Sequence, residues 1–95
     1  MNLNDIFKAL SDETRRKILK MLNEKDMTAG EIANKFPQSW PTISHHLETL
    51  EKIGLIKSER NGRNIIYSLN TTILDDILIF FADFFKKENK NGEKL

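Results

Sequence analysis

One change of period limits what this chain can fold into more than any other feature. Up to Gly54 the apolar residues recur at helical spacing, and from Leu55 to Leu69 they do not. Leu55-Ile56-Lys57-Ser58-Glu59-Arg60 and Arg63-Asn64-Ile65-Ile66-Tyr67-Ser68-Leu69 are two strand-like runs on either side of Asn61-Gly62. That dipeptide is preferred in type I′ turns, where both central residues need positive φ. The segment therefore predicts a single β-hairpin set into a helical chain.

The helices around it are marked by their stripes and caps. Leu3, Ile6, Phe7 and Leu10 fall at i, i+3, i+4 and i+7, one helical face. Ser11 or Asp12 can cap a second helix with a buried stripe of Ile18, Leu19, Met21 and Leu22, stopping near residues 23–26. Thr28-Ala29-Gly30-Glu31 reads as a capping box opening a short helix with Ala29, Ile32, Ala33 and Phe36, ended by Pro37. Ser39 can cap a fourth helix over 39–53, with Pro41 tolerated in its first turn, a core stripe of Ile43, Leu47 and Leu50, and Gly54 as terminator. Asn70, Thr71 or Thr72 then caps a last helix, with Asp75 and Asp76 expected in a first turn where the helix dipole favours negative charge. The expected fold is mainly α with a small β-hairpin: four helices, two strands and a final helix, the order of a winged helix-turn-helix. Residues 1–88 form one domain in this reading, and 89–95 a disordered tail.

Composition narrows the chemistry. Ninety-five residues give room for one module. The absence of cysteine excludes a disulfide scaffold, thiolate-ligated zinc, an iron–sulfur cluster and a thiol nucleophile. The net charge of +1 means that any affinity for nucleic acid must come from where charges sit. No signal peptide is legible at the start, and the longest apolar run, Ile77 to Ala82, is too short for a bilayer of about 30 Å, so a cytoplasmic location is the default expectation.

At 100° per residue, the core stripe of the fourth helix turns Pro41 and His45 to the opposite side, with Thr42 and Ser44 flanking them. Together with Gln38, Ser39 and Trp40 at its start, these residues make a short polar surface able to hydrogen-bond base edges or phosphates of double-stranded DNA. No acid occurs from Ile32 to Leu47, whereas Glu48 and Glu51 follow and confine contact to the first two turns. Arg60 and Arg63 bracket the hairpin turn, within reach of phosphate or a narrow minor groove. The plainer reading of each is a solvated helix face and a hairpin tip charged for solubility; the order of helix-turn-helix and hairpin favours DNA. Trp40 can serve either as a groove contact or as cover for the core.

The last helix is apolar on more than one stripe, through Ile73, Leu74, Ile77, Leu78, Phe80, Phe81, Phe84 and Phe85, more than one small core can bury. A second copy is the simplest cover, with a membrane-surface helix or another docking protein as alternatives. His45 and His46 are adjacent and point about 100° apart, a poor chelate, so neither metal nor cofactor is expected. No nucleophile elbow, phosphate-binding glycine loop or paired carboxylates point to an enzyme.

Four segments carry a family resemblance: Phe7 to Leu19, Thr28 to Ala33, Ile43-Ser44-His45-His46-Leu47, and Gly62 to Leu69. In this order they resemble the ArsR-type (ArsR/SmtB-like) winged helix repressors over about residues 5–85, and the ending Tyr67 to Thr72 is similar to the SdpR-type autorepressor branch, which lacks metal-sensing cysteines. Glu13 stands where members commonly have proline, and Trp40 where many have a small polar or basic residue. The resemblance implies a homodimeric repressor, possibly controlling its own gene, that reads an inverted repeat with helix 39–53 in the major groove and the 55–69 wing on flanking DNA. It implies a dimer interface from the first and last helices, here Leu3, Ile6, Phe7, Leu74, Ile77, Leu78, Phe81, Phe84 and Phe85. It also implies sequestration by a membrane protein as one route to derepression. Two alternatives stay open: a winged helix that binds only protein, and a metal-responsive repressor with a non-cysteine site.

Overall fold

Side-chain caps define where most helices start. In the computed structural model, which describes the backbone of residues 2–92 and the side chains of residues 2–85, the order is α1 (Leu3–Leu10), α2 (Glu13–Glu24), β1 (Met27–Thr28), α3 (Ala29–Ala33), α4 (Trp40–Ile53), β2 (Ile56–Asn61), β3 (Asn64–Leu69) and α5 (Thr71–Gly92). The Asp12 carboxylate accepts from the Arg15 amide at 3.0 Å, and Ser39 Oγ from the Thr42 amide at 3.4 Å. Thr28 and Glu31 exchange both capping-box bonds, at 3.1 and 2.9 Å. Each occupies an amide that has no partner within its helix. Asn2 caps α1 in the same way, accepting from the Asp5 amide. Gly54, at φ 95°, closes α4 with its amide turned back to the carbonyls of Leu50 and Glu51.

Ile6, Ile18, Ile32, Ile43, Leu50, Leu55 and Ile56 are sealed from solvent, so one core joins α1 to α4 with the root of the hairpin. Because α4 commits Ile43, Leu47 and Leu50 to that core, its opposite face must point outward.

Several expectations need correction. The sheet has three strands, in the antiparallel order β1-β3-β2. β1 pairs Met27 with Tyr67 and Thr28 with Ile66. Two residues carry no period, and Thr28 was already explained as a cap, so nothing in the sequence announced the strand. The hairpin turn lies one residue further on: Asn61 pairs with Asn64, leaving Gly62 and Arg63 as the loop. Only Gly62 has positive φ (65°), with no non-glycine residue there, so the type I′ expectation fails and glycine holds the first central position, as a type II′ turn requires. Helix α3 ends at Ala33, and Phe36 follows in a turn. No acid lies in the first turn of α5, which starts at Thr71, so dipole pairing does not account for Asp75 and Asp76. Helix α5 runs to Gly92, and of the tail expected over 89–95, residues 93–95 lie outside the described residues. The elements span 57 × 24 × 22 Å.

Candidate nucleic-acid interface

The outward face of α4 is built from its first two turns. Pro41, Thr42 and His45 are exposed and Ser44 is half-buried. Gln38 and Ser39 are exposed just ahead of them, and each is already engaged within the chain. Gln38 Nε2 donates to Thr14 Oγ1 at 2.8 Å, fixing the turn between α3 and α4 to the start of α2. Ser39 Oγ lies 3.0 Å from Thr42 Oγ1 in addition to its capping bond. Ser39 and Thr42 therefore support the start of the helix, while among the described residues no side-chain hydrogen bond engages Ser44 or His45.

Trp40 is neither sealed in the core nor free of it. It is 54% exposed, and its Cζ2 atom lies 3.9 Å from the position a β-carbon on Gly30 would occupy. It thus rests on α3 and remains largely open to solvent. Arg60, near the end of β2, and Arg63, in the loop, are exposed as expected, yet they border different recesses. Arg63 shares one with Trp40, Asn64 and Ile65. Arg60 shares the other with Asp26, Glu59 and Asn61.

Two ties that sequence reasoning missed hold this face in place. Arg15, on α2, donates through Nε to the Ala9 carbonyl at 2.8 Å and through Nη2 to the Lys8 carbonyl at 3.4 Å. Its Nη1 lies 3.3 Å from Nδ1 of His46, on α4. A guanidinium can only donate, so this bond requires an accepting Nδ1 and a neutral ring. His46 Nε2 is 3.9 Å from Asp12 Oδ2. Burial lowers the His46 pKa below its ordinary 6.5, the Asp12 charge opposes that, and the charges of Arg15 and His45 reinforce it. The Asp12 carboxyl is held below its ordinary 3.8, chiefly by the hydrogen bond from the Arg15 amide. The second tie is from Ser58 Oγ, on β2, to Glu51 Oε2 at 2.6 Å, joining the hairpin to α4. Tyr67 is half-buried in the sheet, and burial with the charges of Glu51 and Glu48 raises its pKa.

The residues expected at a subunit face differ in their exposure. Ile6 is 1% exposed and belongs to the protomer's own core, because α1 turns it onto the packed side. Leu3 is half-buried, and Leu74 and Ile77 pack against the core. Phe7, Leu78, Phe81, Phe84 and Phe85 are exposed, as is Ile79, which the sequence reading omitted. Phe7 anchors this apolar face to α1, its ring centroid 6.5 Å from that of Phe80 and 6.2 Å from that of Phe81. Among the described residues no group of three or more His, Cys, Asp or Glu is placed to hold a metal, and no helix is long and apolar enough to cross a membrane.

A helix-turn-helix whose second helix turns a polar face outward, followed by a paired wing, defines the winged helix-turn-helix class of regulators. Residues 12–58 match the family model described as "Bacterial regulatory protein, arsR family". The transcriptional repressor SdpR of Bacillus subtilis (strain 168) is 51% identical over 85 residues, 90% of this chain and 94% of that protein. The structure of an ArsR-like transcriptional regulator from Rhodococcus sp. RHA1 superposes with a TM-score of 0.80 at 32% identity, covering 94% of this chain and 84% of the other. A homodimeric winged helix-turn-helix DNA-binding domain from Mycobacterium bovis gives a TM-score of 0.70 at 25% identity over 85% of this chain and 78% of its own. The chain belongs to the arsR family of bacterial regulatory proteins, and is a regulator rather than an enzyme.

Proposed function

We propose that this protein is a homodimeric transcriptional repressor that binds an inverted-repeat operator, with α4 of each subunit in a major groove and the wing on flanking DNA. The observation that carries the proposal is the outward face of α4, where Ser44 and His45 lie on two turns that carry no acid of their own and Trp40, at the helix start, shares a recess with Arg63 of the wing loop. The similarity to SdpR supports repression, and the homodimeric relative supports pairing of subunits. The half-sites of such an operator lie about one helical turn, roughly 34 Å, apart. Ser44 and His45 read bases, Gln38, Ser39, Trp40, Pro41 and Thr42 set the helix against the backbone, and Arg60 and Arg63 supply phosphate contacts. The subunits join through Phe7, Leu78, Phe81, Phe84 and Phe85, with Leu3, Leu74 and Ile77 at the margin. A DNA-binding regulator of this kind works in the cytoplasm.

Titration against duplex DNA from the chain's own upstream promoter region tests this, and would also show autorepression. Ser44→Ala and His45→Ala should weaken specific binding by about tenfold and non-specific binding less, because base contacts carry about 1–3 kcal/mol of discrimination. Arg63→Ala should weaken both alike. Absence of salt-sensitive binding to any duplex would leave the protein-only winged helix as the better reading.

A further inference from the structure

The recess between the first turn of α4 and the wing loop is built unlike its neighbour. On one side stands the half-exposed indole of Trp40, resting on α3. On the other stand Arg63, Asn64 and the exposed Ile65 of the wing. Among the described residues no carboxylate lines it. The recess on the other side of the hairpin contains the carboxylates of Asp26 and Glu59 beside Arg60. A polyanion thus meets no acidic residue lining the first recess, whereas in the second the acids beside Arg60 weaken its attraction without removing the cation. The two apolar groups, Trp40 and Ile65, would be left partly in water unless something with an apolar surface and a negative charge filled the gap.

We propose that this recess seats one sugar–phosphate unit of bound DNA, with the Trp40 indole packed on the deoxyribose and the Arg63 guanidinium paired with its phosphate. The inference rests on the reading of the chain as a DNA-binding protein and adds a site to it. Trp40 belongs to the recognition helix and Arg63 to the wing, so one nucleotide held between them sets the distance from wing to groove. Asn64 lines this recess, and Asn61, its partner in the hairpin register, shares its face of the sheet.

The test uses the full chain and a duplex from its upstream promoter region, with Kd from anisotropy and the emission of Trp40, the chain's one tryptophan, recorded in the same titration. The emission should change on saturation. Trp40→Ala should weaken binding about tenfold with an unchanged salt slope, since sugar packing releases no counterion, and Trp40→Phe should recover most of the loss. Arg63→Ala should lower the salt slope by about one. Asn64→Asp, which adds a carboxylate at the recess, should weaken binding about tenfold. If the duplex binds but Trp40 emission stays constant, or Trp40→Ala binds like the wild type, the seat is wrong and DNA binding stands. If wild-type protein binds no duplex, the DNA reading itself fails and takes the seat with it.

Discussion

His46 shows how one residue can hold a functional face without touching its ligand. Its neutral ring accepts from Arg15, which also gathers the carbonyls at the end of α1, so α1, α2 and α4 meet at a single guanidinium. Protonation removes the acceptor and sets two cations side by side. Because the folded pKa lies below the unfolded value of 6.5, the unfolded chain binds more protons as pH falls through that value, and stability drops. Asp12, held below its ordinary 3.8, adds a loss only at far lower pH. The melting temperature of the wild type should therefore decline from pH 7.5 to 5.5, and that of His46→Gln should be flatter across the same window; parallel curves would show that His46 is not the titrating group. The outward residues, Ser44 and His45 above all, were legible from the helical wheel, because Ile43, Leu47 and Leu50 set the direction of the core. The bond between Arg15 and His46 was not, since it joins residues 31 apart and no periodicity records a contact of that kind.

At the scale of elements, caps proved the most readable signals, because they act within three residues. Asp12, Thr28, Ser39 and Gly54 all sit where their chemistry asks. The hairpin was legible as an element, but its turn was not: the preference of Asn-Gly for type I′ yielded to a register in which β2 runs through Asn61 to pair with Asn64. The short β1 was invisible for want of length. Gly62 now bears the turn alone, with open space where a β-carbon would sit. Gly62→Ala should thus cost about 1 kcal/mol through backbone strain with no steric term, measured as a shift of the urea midpoint at unchanged slope. A loss of several kcal/mol would mean that the loop makes contacts beyond its own backbone.

The whole molecule has one surface that asks for a partner and one that must refuse it. Leu78 is 67% exposed on the apolar face, so Leu78→Glu should leave the fold of each subunit intact while shifting sedimentation from dimer to monomer and weakening operator binding at least tenfold at low protein concentration. A variant that still sediments as the wild type would place the interface elsewhere. The surface that must refuse is the outer side of β2. In the order β1-β3-β2 it is the long edge of the sheet, six residues whose far side has no strand beside it among the described residues. Lys57, Glu59 and Arg60 fill that edge with charge of both signs. Replacing Lys57 and Glu59 by valine should raise light scattering on warming. The wing is therefore also a guard against fibre growth: its open sheet edge is too polar to recruit the next copy.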